Sequence, residues 1–223
     1  VLIVSADAPA AAPARAGVGR VVLVAVAVVA LAAGAAIGLL AGGSLLRPAA
    51  PVEGSVDAGF ARDMSVHHGQ AVEMAVLVRD RSQDPAVRQL ALDILVTQGH
   101  QQGQMFGWLA TWGLSPTSSA PPMAWAGDHE HGGQSADGGM PGLVTSDQLA
   151  RLEAADGAEA DRLFLALMIP HHRGGVAMAE VATERATQPQ VRRLAEAVVA
   201  SQAAEITLLE QMLDERGGPP ADL

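Results

Sequence analysis

The chain has no cysteine, which excludes a disulfide framework, a lipid-anchored cysteine and cysteine-nucleophile chemistry. It has no lysine either: its 14 basic residues are all arginine, set against 24 acidic ones, for a net charge of -10 over 223 residues. Binding to phosphate backbones needs a basic face, so nucleic acid is excluded as a partner and cations are the more natural guests. An acidic excess also simply keeps a surface soluble. No strand-like alternation of any length occurs. HExxH and GxSxG are missing, so zinc and serine hydrolase chemistry has nothing to run on. None of the four long helices read below the membrane run contains Glu-x-x-His, which a di-iron oxidase built on a helical bundle needs. These absences argue against an enzyme.

What is present begins with an uncharged run, VVLVAVAVVALAAGAAIGLLAGGSLL, residues 21–46. It is long enough to cross a bilayer as one helix and longer than the apolar core of a secretory signal, so a retained anchor or uncleaved signal is expected, with cleavage in the Ala-rich sequence around Pro48 to Pro51 as the alternative. Arg15 and Arg20 precede the run and only Arg47 follows closely. That bias places residues 1–20, read as disordered, in the cytoplasm, and the remainder outside, as a single-pass protein of the cell membrane with an extracytoplasmic C-terminal domain. Gly34, Gly38 and Gly42 recur every four residues, a spacing that lets membrane helices approach and would suit a homodimer, although so Ala- and Gly-rich a run produces it by chance. The chain opens on valine and has no methionine before Met64, which points to an alternative start codon or a trimmed chain.

The expected extracytoplasmic domain, 52–223, contains a duplication. MSVHHGQAVEMA begins at Met64 and MIPHHRGGVAMA at Met168, and a constant shift of 104 residues superimposes Asp57 on Asp161, Phe60 on Phe164, Met74 on Met178, Pro85 on Pro189, Gln98 on Gln202 and Gly113 on Gly217. The repeats are 57–113 and 161–217, joined by a linker, 114–145, rich in Gly, Pro and Ser. In the first repeat Phe60, Met64, His67, Ala71, Met74 and Val78 trace one helical stripe, matched in the second by Phe164, Met168, His171, Gly175, Met178 and Ala182. Asp84-Pro85 and Gln188-Pro189 each read as an N-cap followed by proline at the first helical position. Each repeat is therefore a helical hairpin. Two hairpins predict an all-α four-helix bundle, with helices over 57–81, 85–113, 158–186 and 189–216. TSDQ at 145–148 fits a capping box that opens a short helix through Leu152, which Gly157 is expected to stop.

His67 and His171 continue the apolar stripes and should point inward, with His68 and His172 one position around, on the edge. Met64 is within one turn of His67 and His68, and Met168 within one turn of His171 and His172. Imidazole with thioether is a neutral, soft ligand set suited to copper or silver, above all Cu(I), and unsuited to calcium or magnesium. Methionine at helical spacing is also ordinary core filler, and one histidine on an apolar face is ordinarily a satisfied core residue. Four imidazoles at one depth are different, because eight ring nitrogens need partners and a metal ion supplies several at once. Reflection about the hairpin turns sets Gln98 and Gln202 level with the histidines and Glu205 near Met168. Thr97, Gln101 and Ser201 complete a polar patch that either orients the rings or forms a structural hydrogen-bond layer. Glu205 is a candidate metal ligand or a holder of an imidazole N–H. Pro170 removes a backbone N–H and is expected to kink its helix. His100, whose counterpart in the second repeat is Ala204, reads as a surface residue or as a group supporting the ligands from behind. The linker's DHEH, 128–131, between Met123 and Met140, is a weaker candidate for metal capture.

DAGFARDMSVHHGQAVEMA and, more closely, GLVTSDQLARLEAADGAEADRLFLALMIPHHRGGVAMAE resemble the bacterial domain-of-unknown-function family 305, of ferritin-like helical fold. The resemblance covers nearly all of 57–217. It implies the fold, and, because some members are exported copper-binding proteins linked to copper resistance, it implies a copper ion as the bound group and His67, His68, His171, His172, Met64, Met74, Met168 and Met178 as candidate ligands. The leading expectation is a membrane-anchored, extracytoplasmic copper-binding protein that buffers the metal without catalysis. The alternative is a structural or protein-interaction bundle whose histidines fill the core or sense acid.

Overall fold

The computed structural model of the chain describes residues 16–45, 49–127 and 139–221. These form two units, 1–49 and 50–223. The described part of the first is one helix, α1 (Ala16–Leu45). Its Val21–Leu39 segment has a mean hydropathy of 2.7 and no buried residue, so it is long and apolar enough to cross a membrane. Gly34 and Gly38 have open space where a side chain would stand.

The regular structure among the second unit's described residues is all helical: α2 (Val56–Arg81), α3 (Pro85–Trp112), α4 (Ser146–Ala154), α5 (Gly157–Arg185) and α6 (Pro189–Glu215), with one 3-10 turn at Ala124–Ala126. The long helices fall within a residue of the spans that periodicity predicts. Their ends have the expected chemistry. The Ser55 hydroxyl accepts from Ala58 N–H at the start of α2, the Asp84 carboxylate accepts from Ala86 N–H at the start of α3, and Gly113 closes α3 in the left-handed conformation, φ 71°. The Thr145–Gln148 capping box forms at α4. One detail differs from expectation. α4 ends at Ala154, ahead of Gly157, whose φ of +55° instead serves the sharp entry into α5. Pro170 lies within α5, on its solvent side.

The two hairpins, α2–α3 and α5–α6, meet mainly where α2 packs on α5. Both predicted stripes are at this contact: Phe60, Met64, His67, Ala71, Met74 and Val78 are fully buried, as are Phe164, Met168, His171, Met178 and Ala182. The apolar core falls into two clusters. One takes the C-terminal half of α2 (Ala71, Met74, Val78) with the N-terminal half of α5 (Phe164, Leu167, Met168). The other takes the N-terminal half of α2 (Phe60, Ala61, Met64) with the C-terminal half of α5 (Met178, Ala179, Ala182). The two helices therefore run antiparallel, and the histidines lie where one cluster gives way to the other.

The same symmetry ties the ends together. Asp57, in the first turn of α2, is 1 % exposed, and its carboxylate accepts from Thr187 N–H, Thr187 Oγ1–H and Gln188 N–H in the α5–α6 turn. Its counterpart Asp161 reaches Ser82 in the α2–α3 turn, and its burial pushes its carboxyl pKa upward. Each repeat thus caps the hairpin turn of the other. Asp84 pairs with Arg216, and that hydrogen bond holds the Asp84 carboxyl below its ordinary pKa.

The linker is more structured than its composition predicts. Residues 139–145 form a strap across α2 and α5: Gln70 donates from Nε2 to Val144 O at 2.8 Å and accepts Val144 N–H at 2.7 Å. Gly174 of α5 is where the strap sits closest, because a Cβ there would lie 2.0 Å from Pro141 O. Gly142, φ +74°, rests against Pro170 O. DHEH, 128–131, lies outside the described residues.

Candidate metal centre

All four paired histidines have zero exposure. For His68 and His172 this corrects the expectation of an edge position. α3 covers α2, and α6 covers α5, on the flank next to the α2–α5 contact, so the buried arc of each helix spans two neighbouring positions rather than one stripe. Gln101 of α3 lies over His68, with Oε1 2.7 Å from Nε2. The equivalent residue of α6, Glu205, puts Oε2 2.6 Å from His172 Nε2. At the centre the His67 and His171 rings are 3.8 Å apart between centroids, at an angle of 35°. The neighbouring rings within each pair are 6.5 Å (His67, His68) and 6.3 Å (His171, His172) apart.

The polar inventory of this layer is incomplete. His67 Nε2 lies 3.2 Å from Pro141 O of the strap. Nδ1 of His67, His68 and His172, both nitrogens of His171, and both amide atoms of Gln98 and Gln202 are buried without a protein partner. His171 approaches the His67 backbone without completing a hydrogen bond. Each unpaired buried polar group costs about 1–3 kcal/mol, so the layer is expensive in stability and would be an odd choice as core filler. Burial also holds three of the rings, His67, His68 and His171, in the neutral form: desolvation pushes the His67 pKa down to about 3, aided by His68 and opposed by the Pro141 contact. It pushes His68 down to about 4 against the Gln101 bond, and His171 well below its ordinary value, with His67 adding to the effect. Neutral imidazoles with spare lone pairs are the form a metal ion takes. By donor chemistry, then, these residues fit a soft cation.

They do not form a finished cage. Among the described residues no three histidine, aspartate or glutamate side chains converge as a ready ligand set. The methionines are fully buried but divided: Met64 and Met178 belong to the cluster on one side of the histidine layer, Met74 and Met168 to that on the other. Glu205 meets His172, one turn beyond its expected neighbour Met168. Of the remaining polar residues, Thr97 is exposed and Ser201 bonds the Val198 carbonyl of its own helix. His100 is exposed, Met140 is buried, and Met123 packs partly buried against the same apolar cluster as Met140. No sequence motif points to Pro141 as a partner for His67. The one available signal was a break in the repeat, since Gly174, where the strap docks, stands opposite Gln70, which clamps it.

A duplicated helical hairpin with paired histidines buried at its crossing defines a class of bundle proteins rather than a general helical scaffold. The profile of Domain of unknown function (DUF305) matches residues 57–213, and the chain belongs to that family. Among solved structures it is similar to a DUF305 protein from Streptomyces coelicolor, with 48 % identity over 77 % of this chain and 100 % of that one, TM-score 0.70. It is also similar to a DUF305 fragment from Deinococcus radiodurans (34 % identity, 72 % and 96 % covered, TM-score 0.60). CopM in its Cu(I)-bound form matches with 25 % identity over 73 % of this chain and 98 % of that one, TM-score 0.57, and CopM has also been solved with Cu(II) and with Ag bound. Among curated proteins no match is found.

Proposed function

We propose that this protein binds a soft metal ion, Cu(I) or Ag(I), at the histidine layer, and that it buffers the metal outside the cytoplasm without catalysing a reaction, held at the membrane by α1. The observation that carries the proposal is the set of five buried imidazole nitrogens without partners, two from the first repeat and three from the second. The metal-bound forms of CopM, a relative of the same fold, support the choice of metal. Met64, Met74, Met168 and Met178 lie buried in the apolar clusters to either side and would supply thioethers if the layer rearranges on binding. When bound, the metal would supply Lewis-acid charge to the nitrogens that lack hydrogen bonds. Titration of purified protein with Cu(I) and Ag(I), with calcium and magnesium as controls, tests this: micromolar or tighter binding of the soft ions alone is expected, and no binding at micromolar metal rejects it.

A second reading is favoured by the close contact of the His67 and His171 rings, which leaves no ready space between them. On that reading the layer is a polar core element of a structural or interaction bundle. The same titration separates the two.

A further inference from the structure

Three of the four histidines share an arrangement that fixes which nitrogen each can offer. Nε2 of His67, His68 and His172 is turned to an oxygen, at 3.2 Å from Pro141 O, 2.7 Å from Gln101 Oε1 and 2.6 Å from Glu205 Oε2 respectively. A carbonyl or carboxylate oxygen can only accept, so the facing ring nitrogen must carry the hydrogen. A neutral imidazole carries one N–H, which leaves the lone pair on Nδ1. In all three rings Nδ1 is the buried atom without a partner. Gln101 alone could present its amide N–H instead, but it is matched in the repeat by Glu205, which has no N–H to give, so the two halves agree only with the oxygen inward. His171 makes no hydrogen bond through either nitrogen, and no tautomer is imposed on it.

We infer that Glu205, Gln101 and the strap carbonyl of Pro141 are positioning groups that lock His172, His68 and His67 as Nε2–H tautomers, so that Nδ1 is the donor atom these rings present to a metal. The donor role rests on the metal-binding reading above; the tautomers do not. The two halves are not equal donors. A carboxylate behind an imidazole raises its basicity more than an amide does, so His172 is the stronger ligand and His68 the weaker. The repeat thus holds two grades of the same ligand, set by a single difference, Gln101 against Glu205.

The test is a long-range proton–nitrogen correlation spectrum of the metal-free full chain, labelled with 15N-histidine, in detergent micelles at about pH 8, where free imidazole is neutral. Wild type should show Nε2–H at His67, His68 and His172. Glu205→Gln should keep the His172 tautomer, while Glu205→Leu should release it to a mixture. An Nδ1–H form at His67 or His172 in wild type overturns the assignment, as does a His172 tautomer unchanged in Glu205→Leu. If that variant fails to fold, the wild-type spectrum still decides. Adding Ag(I) should then shift Nδ1 of the three rings, and Glu205→Gln should weaken Ag(I) binding by about 10- to 100-fold. A shift at Nε2 instead overturns the donor assignment. Resonances that do not respond to Ag(I) overturn the metal-binding reading and the donor role with it, while the metal-free tautomers stand on their own.

Discussion

His67 and His171 occupy the same position in the two repeats, and their rings are in contact, 3.8 Å between centroids, where α2 crosses α5. The approximate twofold axis that relates the hairpins therefore passes between these two side chains. A residue on such an axis meets its own counterpart, so one histidine per repeat yields a pair, and the adjacent His68 and His172 extend the pair to four. Duplication is what builds the layer.

If ligands from both repeats surround one metal, neither repeat can hold it alone. Replacing His67 and His68 together by alanine, or His171 and His172 together, is expected to reduce Cu(I) or Ag(I) uptake by far more than half in each case, measured by titration and by metal analysis of purified protein. Two independent sites would lose roughly half in each double variant. Full retention in both would leave the histidines with a structural role only.

The metal-free fold should be acid-sensitive. His67 and His68 bind a proton near pH 6.5 when unfolded but only near pH 3 and pH 4 when folded, and His171 is depressed in the same direction. Above about pH 6.5 both states are neutral and the contribution to stability is fully present. As pH falls below that, the unfolded state takes up protons that the folded state refuses, and stability drops by up to about 1.4 kcal/mol per pH unit for each ring. Against a total of about 5–15 kcal/mol, the loss should be plain in urea midpoints measured from pH 7 to pH 4. A flat profile across that window would show that the rings are not held neutral.

Much of this was readable in the chain, for identifiable reasons. Helix spans follow from the spacing of Phe60, Met64, Ala71, Met74 and Val78 and from Asp84-Pro85 and Gln188-Pro189, all local signals. The inward direction of His67 follows from the same stripe. Full burial of His68 and His172 does not, because it depends on Gln101 and Glu205 arriving from other helices at the right height. Gly157 was ambiguous for a simple reason: a left-handed residue serves the exit from one helix and the entry to the next equally well. The strap was out of reach, since its docking depends on the absence of a side chain at Gly174 and on a clamp from Gln70, 74 residues away from its partner Val144. Burial of the methionines was legible, but their division into two clusters needed the antiparallel crossing.

Asp57 offers a test of the interlock between repeats. Its carboxylate serves two backbone N–H groups and the Thr187 hydroxyl at once, all of them buried or partly buried. Asp57→Ala would leave these donors stranded and should cost about 3 kcal/mol of folding stability, while Asp57→Asn, which keeps one acceptor oxygen, should cost less. Chemical denaturation checks both. Equal stability of Asp57→Ala and wild type would mean that the turn is satisfied another way.

α1 should place the protein in the membrane fraction, because nothing in its Val21–Leu39 segment is buried against protein and its mean hydropathy is 2.7. Detergent should be required to release it. Recovery from a soluble extracytoplasmic fraction, with a new N-terminus beyond residue 40, would show the segment to be a removed signal.

Gly174→Ala is the sharpest probe of the strap. A methyl group at this position would stand 2.0 Å from Pro141 O and 2.9 Å from Gly142 N, both backbone atoms that cannot swing aside as a side-chain end could. The strap must lift, and when it does the His67 Nε2 contact to Pro141 O is lost with it. Overpacking of this kind costs about 1–3 kcal/mol, so thermal stability should fall without loss of helix content, since α2 and α5 are held by their own core. Metal binding supplies the second reading of the same variant. If the strap only covers the layer, its displacement should speed Ag(I) uptake and leave the equilibrium affinity unchanged. If Pro141 also orients His67, affinity should fall as well, and Gln70→Ala, which releases the strap at Val144 without replacing any of the four histidines, should reproduce the loss. Unchanged uptake and affinity in both variants would reduce the strap to packing.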